Sequence, residues 1–77
     1  MSITTISLSL KSLETWAEEA GVIVDAIGTS KGRAVALIYD PRRPHDQAYG
    51  VKTHGPAHAI DWMSPASASH EFALTIN

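Results

Sequence analysis

Residues 9–21, SLKSLETWAEEAG, form the stretch around which we expect the rest of the chain to fold. Apolar residues fall on one side of a helical wheel and polar ones on the other: Leu10, Leu13, Trp16, Ala17 and Ala20 against Lys11, Glu14, Thr15 and Glu18. Ser9 can accept a hydrogen bond from a first-turn amide, and Gly21 can take the left-handed conformation that ends a helix. The stretch therefore predicts a single amphipathic helix that covers a sheet.

The strongest strand signal follows this helix. Residues 22–40, VIVDAIGTSKGRAVALIYD, contain two β-rich runs around GTSKG, whose glycines permit the positive φ values of a hairpin loop. We expect residues 22–27 and 33–40 to pair antiparallel. The second run has a bulky face and a smaller face: Val35, Leu37 and Tyr39 against Ala34, Ala36 and Ile38. Because one helix covers only the smaller face, the bulky face is expected to meet a loop, another subunit or a partner.

Weaker patterns predict the strands on either side of these elements. Residues 3–8 are rich in β-branched side chains and predict an initial strand, with an unpaired N-terminal arm as the alternative. Residues 47–54 alternate as in a strand, and Gly50 indicates an edge or a bulge. We therefore expect strands both before and after the helix.

The C-terminal third is ambiguous at its start. In residues 57–63, Ile60 and Trp62 alternate as in a strand, whereas Pro56 suits the first position of a short helix. We prefer the strand and keep the short helix as the alternative. The final two segments predict a loop and then a closing strand: residues 64–69 and 70–76.

These elements predict an α+β fold in which one helix packs on an antiparallel sheet of about five strands, in the order β-α-β-β-β-β. With 77 residues the chain is expected to form one compact domain, residues 1–77. It has no cysteine, so disulfides and thiolate metal sites are excluded. No apolar run approaches the roughly 20 residues that span a bilayer, and the N-terminus lacks signal-peptide features. A cytoplasmic protein without a membrane role is expected.

The charges are segregated along the chain, although the formal net charge is only −2. The first 30 residues are mostly acidic, and the middle is mostly basic: Lys31, Arg33, Arg42, Arg43 and Lys52 against Asp40 and Asp46. Residues 40–46, DPRRPHD, which we call the arginine loop, hold two arginines in a stiff proline frame. The loop predicts guanidinium groups ready to meet a carboxylate or phosphate, or else arginines paired with its own aspartates.

No catalytic or metal-binding motif is present. His54 and His58 have helical spacing, but the intervening Gly55-Pro56 forbids the continuous helix that a paired-histidine site needs. No serine lies in a G-x-S-x-G elbow, and GTSKGR lacks the length and ending of a phosphate loop. We therefore expect a non-enzymatic protein with no cofactor and no bound metal.

The size below one hundred residues, the lack of cysteine and catalytic motifs, and the helix-on-sheet pattern resemble the anti-CRISPR proteins of phages and mobile elements, in particular the inhibitors of type I surveillance complexes. The resemblance is one of general build over the whole chain, and that group shares no motif from which a functional residue could be carried over. It implies binding to a Cas subunit in the host cytoplasm and obstruction of target-DNA recruitment.

On physical grounds we expect the partner-binding residues to be basic groups of the middle segment with two apolar anchors: Lys31, Arg33, Arg42, Arg43, Tyr39 and Tyr49. Two alternatives remain. The same basic segment predicts an accessory protein that binds nucleic acid directly. The bulky sheet face or an exposed edge strand predicts a homo-oligomeric protein, so either a monomer or a homodimer is expected.

Overall fold

The computed structural model describes residues 3–53 and 60–76. Their fold is α+β, as the sequence predicts, with two helices and a three-stranded antiparallel sheet. In chain order the elements are α1 (Ile3–Ala20), β1 (Ile23–Ser30), β2 (Arg33–Tyr39), a one-turn 3-10 helix (His45–Gln47), β3 (Tyr49–Thr53) and α2 (Pro65–Ile76). The expectation of one helix and about five strands is therefore wrong in this part of the chain.

The predicted hairpin is confirmed, but its turn is shorter than expected, because residues 28–30, which the sequence placed in the loop, belong to β1. β1 and β2 pair antiparallel, and the turn between them holds Lys31 at φ 51° and Gly32 at φ 80°. β3 pairs with the other side of β2, which gives the order β1-β2-β3. The register of β1 shifts between Val24 and Ala26, so Asp25 lies in a bulge. β2 is central, and its residues from 34 to 38 are all buried.

The first helix covers the smaller face of β2, as predicted. Leu13 is only 1% exposed and packs with Ala36 and Ile38, while Trp16 is packed against the same cluster. The helix is longer than predicted, because residues 3–8 are helical and do not form a strand. The sequence carries the signal: Ile3, Ile6, Leu10, Leu13 and Ala17 recur three and four residues apart, which continues the helical stripe to the N-terminus.

A second helix occupies the segment for which the sequence predicted a loop and a closing strand. The backbone N–H of Ser67 donates to Ser64 Oγ at 3.2 Å, so Ser64 caps a helix whose first residue is Pro65. Once the helix is known, the four-residue spacing of Ala68, Phe72 and Ile76 explains which side faces inward. The alternation that suggested a strand over residues 70–76 was incidental to this longer period.

α2 covers the bulky face of the sheet. A Cβ built on Gly28 would lie 2.7 Å from Cγ2 of Ile76, and Gly28 is the register partner of Val35. Val35 is 0% exposed and Leu37 is 7% exposed. The expectation that this face waits for a loop, a subunit or a partner is therefore wrong, because a helix of the same chain lies on it.

Residues 60–63 pass along the outer edge of β3. Tyr49 and Met63 exchange two backbone hydrogen bonds of 3.1 and 2.7 Å, an isolated bridge, and residues 60–62 form no regular element. A Cβ on Gly50 would lie 2.8 Å from Cγ2 of Ile60, so this glycine allows the segment to approach the sheet closely. The strand preferred for residues 57–63 is therefore absent over residues 60–62, while residues 57–59 lie outside the described part.

Candidate partner-binding site

The six residues predicted to bind a partner lie at two opposite ends of β2. Lys31 and Arg33 lie at the hairpin turn, whereas Tyr39, Arg42, Arg43 and Tyr49 lie near the other end of the strand. Six residue steps of about 3.4 Å separate the two ends of the strand by roughly 20 Å. The basic middle of the sequence is therefore not one continuous surface, and we call the end that carries the arginine loop the arginine end.

Asp40 is the centre of the arginine end. Its backbone N–H donates to the carbonyl of Ala48 at 2.8 Å, and its side chain is only 8% exposed. Oδ1 accepts a hydrogen bond from the backbone N–H of Arg42 at 3.0 Å and another from Arg42 Nε at 2.9 Å. The side-chain and backbone hydrogen bonds from Arg42 lower the pKa of Asp40 and outweigh the opposing effect of burial. This carboxylate is thereby held ionised.

Arg42 joins the arginine loop to the end of α1. Its Nη2 donates to the carbonyl oxygen of Ala20 at 2.7 Å, one of the last carbonyls of the helix, and the hydrogen bond to Asp40 raises the pKa of the guanidinium. Gly21, at φ 75°, makes room for this contact, because a Cβ there would lie 3.3 Å from Arg42 Nη1. Arg42 therefore helps to hold the fold, although its side chain is 65% exposed.

Arg43 is held on two sides and stays open on a third. Its Nε lies 3.5 Å from Asp40 Oδ2, and its Cζ lies 4.3 Å from the centroid of the Trp62 ring, in a cation–π arrangement. Its side chain is nevertheless 42% exposed. An arginine fixed in this way loses less conformational entropy when a partner binds it than a freely rotating one does.

An aromatic group lies at the same end of the sheet. The rings of Tyr39 and Tyr49, which are register partners on β2 and β3, have centroids 4.8 Å apart and are tilted by 31°. His45 meets Tyr49 edge to face at 5.9 Å. The two tyrosines share the sheet face of Leu37, which α2 covers, so they border the arginine end from that side. His45 lies beside them in the 3-10 helix. The two predicted tyrosines therefore do lie together.

Lys52, the last basic residue of the middle segment, is turned inward. It is 8% exposed, its ammonium nitrogen lies 5.3 Å from the ring centroid of Trp16, and it donates to the carbonyl of Thr53 at 3.2 Å. Because β3 places it beside α1, its positive charge belongs to the interior of the fold. The basic surface is accordingly smaller than the sequence suggested.

Sequence reasoning did not assign His45 or Trp62 to the arginine end: His45 was noted only as a neighbour of the arginines, and Trp62 only as an aromatic residue in an ambiguous segment. The pairing of the arginines with Asp40 was one of the two alternatives left open for the arginine loop, and the structure shows it. The available signal was the order Asp-Pro-Arg, because an aspartate at a strand end readily accepts a backbone N–H two residues later. No local signal could have paired Arg43 with Trp62, since nineteen positions of sequence separate them.

The described part of the chain limits the other site types. Within residues 3–53 and 60–76, no three histidine, aspartate or glutamate side chains gather in a group that could hold a metal ion, and His54 and His58 lie outside these ranges. Neither helix in the same ranges has the length and apolar character required to cross a membrane.

No protein-family model, curated protein or solved structure matches this chain.

Proposed function

We propose that this protein is a small non-enzymatic binding module that docks on another protein through its arginine end. The observation that carries the proposal is Arg43, which is held between Asp40 and Trp62 while much of its side chain stays exposed. Arginine and tyrosine are enriched among the residues that dominate binding energy at protein interfaces. Tyr39 and Tyr49 add aromatic surface at the same end of the sheet, on the face that α2 covers.

The electrostatics of this end favour an acidic partner surface. Two guanidinium groups surround one carboxylate, so Asp40 neutralises only part of the positive charge. The Arg42 side chain already donates to Asp40 and to the carbonyl of Ala20, whereas Arg43 lies 3.5 Å from Asp40 and over Trp62, so we expect Arg43 to form the ion pair across an interface. A bidentate contact to a partner carboxylate would add specificity as well as affinity.

We infer the partner class from the resemblance in build. The proposed partner is a Cas subunit of a type I surveillance complex, and the proposed action is to obstruct recruitment of target DNA in the host cytoplasm. Obstruction by bulk alone requires only that the protein stay docked, and it needs no reactive side chain. This agrees with the arginine end, where the titratable side chains make structural contacts. Asp40 accepts from Arg42, and His45 packs on Tyr49.

The test compares three proteins for binding to a purified type I surveillance complex and for inhibition of its target-DNA binding. We expect Arg43→Gln to weaken binding by about tenfold or more, equivalent to about 1.4 kcal/mol. Lys31→Gln removes the same charge at the opposite end of β2 and is the matched control, for which we expect less than about a threefold change. Both variants should stay folded; Arg43→Gln loses its contacts with Asp40 and Trp62, so its melting temperature should fall by no more than about 8 °C, equivalent to about 1 kcal/mol.

Three outcomes would contradict the proposal at different levels. Equal affinity for wild type and Arg43→Gln would place the site elsewhere on the protein. No binding to any type I complex would reject the partner class. Binding to bare DNA that weakens steeply as salt increases would instead favour the nucleic-acid alternative. Arg42 is unsuitable for this test, because its replacement removes the contacts to Asp40 and Ala20 and is expected to lower stability by itself.

A further inference from the structure

The outer edge of β1 is the longest open strand edge in the described structure. β1 contains eight residues and lies at one side of the sheet, and no strand within residues 3–53 and 60–76 pairs with that side. An edge strand presents a row of N–H and C=O groups that can pair with another strand. Large apolar side chains are also exposed here, one on each face of the sheet: Ile27 of β1 is 46% exposed, and Ile76 of α2, next to Gly28, is 38% exposed.

We propose that two copies of this chain form a homodimer in which their β1 strands pair antiparallel across a two-fold axis. This inference goes beyond the proposed function and does not depend on it, because the arginine end plays no part in the contact. The pairing would join the two sheets into one continuous six-stranded sheet. Each α1 would stay on one face of that sheet and each α2 on the other.

Symmetry restricts the register of such a pair. Residues directly opposite each other in a sheet have side chains on the same face, and a two-fold axis perpendicular to the sheet keeps each residue on its own face. One residue of β1 must therefore face its own copy. The bulge at Asp25 interrupts the strand, so the regular edge runs from Ala26 to Ser30. The register that uses all of this segment has Gly28 at its centre.

Charge complementarity favours the same register. With Gly28 on the axis, the bulge at Asp25 and the turn at Lys31 of the second copy come together at each end of the paired segment, because both residues are three positions from the centre. Both residues are exposed, and symmetry produces the pair twice. A register centred on Ile27 would place Asp25 across from Thr29 and would lose both ion pairs. The bulge and the turn, which lie at the two ends of the regular segment, thus carry opposite charges.

Apolar contacts also converge on this axis. Ile76 lies directly over Gly28, so the two Ile76 side chains would meet above the axis on the α2 face. Ile27 is the register partner of Ala36 and lies on the α1 face, where it would sit across from Thr29 of the second copy. Gly28 lacks a side chain, which lets the Ile76 side chains of the two copies approach the axis. Dimerisation would thereby remove exposed apolar surface from water.

The first test measures the mass of the wild-type protein by sedimentation equilibrium, from about 1 μM to about 1 mM, where the dimer should appear as concentration rises. Ile27→Lys should weaken the dimer by about tenfold or more, since it brings two ammonium groups near the axis. Ile23→Lys makes the same change at a similarly exposed position beyond the bulge and should alter the dissociation constant by less than about threefold.

The second test probes the register with a charge swap. Asp25→Lys alone and Lys31→Asp alone each place like charges across the interface and should weaken the dimer, whereas the double variant restores opposite charges and should recover most of the affinity. A monomer at every concentration would overturn the proposal. Equal loss in Ile27→Lys and Ile23→Lys, or no recovery in the double variant, would overturn the proposed register. Melting temperatures confirm that each variant is folded.

Discussion

Because residues 65–76 form a helix, replacing His70 with proline is expected to lower the melting temperature strongly. This exposed residue lies in the middle of α2. Proline there removes the amide that a helix bonds to the carbonyl four residues earlier, and its ring clashes with that carbonyl. The closing strand predicted from the sequence would start at this same residue, and the first position of a strand tolerates proline. His70→Pro therefore separates the two structures.

The expected magnitude follows from the position of the break. A proline in a helix interior costs about 3 kcal/mol or more. A domain of this size changes its melting temperature by roughly 4–8 °C per kcal/mol, so a decrease of about 12–24 °C is expected. The break also loosens the last turns, which hold the half-buried Phe72 and place Ile76 over Gly28. Exposure of Val35 beneath them would add to the loss.

Thermal unfolding followed by far-UV circular dichroism measures both the melting temperature and the helical signal. His70→Ala is the matched control, because it removes the same side chain and keeps the backbone amide. If His70→Pro melts within about 4 °C of His70→Ala, a difference of less than about 1 kcal/mol, residues 65–76 do not form the helix that buries Val35. A helix of this chain would then not be what covers the second face of the sheet.

Two further predictions concern the core and the arginine end. Leu13→Ala should lower the free energy of unfolding by about 2–5 kcal/mol in a denaturant titration, because Leu13 is fully buried against Ala36 and Ile38. Glu14→Ala, the exposed neighbour on the same helix, should change it by less than about 0.5 kcal/mol, and similar losses in both would contradict the packing of α1. Asp40→Asn should lower the melting temperature at neutral pH. Arg42 lowers the pKa of Asp40 in the folded state. The ionised carboxylate therefore stabilises the fold fully above about pH 3.9, the pKa of an aspartate in the unfolded chain, and this stabilisation is lost as the pH falls through the lower folded-state pKa. The difference between wild type and Asp40→Asn should therefore shrink below about pH 4, and a constant difference down to strongly acidic pH would argue against the ion pair.

The hairpin and the covering face of α1 were predictable because their signals are local and strong. The glycine-containing turn separates two β-rich runs, and Leu13 with Trp16 belongs to a helical stripe that spans several turns. The same stripe, extended to Ile3, would have predicted the full length of α1. Threonine, serine and isoleucine suggested a strand there, but an N-terminal strand needs a neighbour, whereas a helix continues by bonds within its own segment.

The second helix was missed because a short segment supports two periods at once. Phe72, Leu74 and Ile76 alternate as in a strand, while Ala68, Phe72 and Ile76 repeat every four residues as in a helix. The start signal, a serine followed by a proline, favours the helix and should have decided the question. Packing then selects the helix, because Val35 and Leu37 need cover.

The candidate site was predictable only in part. Sequence reasoning selected the arginine loop and the two tyrosines, and these do share one end of the sheet. It could not see that Lys31 and Arg33 lie at the opposite end of a seven-residue strand. It also could not distinguish Arg42 from Arg43, because their different roles depend on contacts with Ala20 and Trp62. Such contacts arise only when distant parts of the chain meet.

The bond from Arg42 to Ala20 couples the proposed binding surface to the core. Arg42 cannot keep that bond unless α1 is docked, and Asp40, which holds Arg42, also orients Arg43. Undocking of α1 would therefore free one anchor of Arg42 and weaken its hold on Asp40, the carboxylate that orients Arg43. By thermodynamic linkage, a partner that binds Arg43 in its ordered position also favours the docked position of α1. Partner binding should therefore increase the free energy of unfolding of the whole domain.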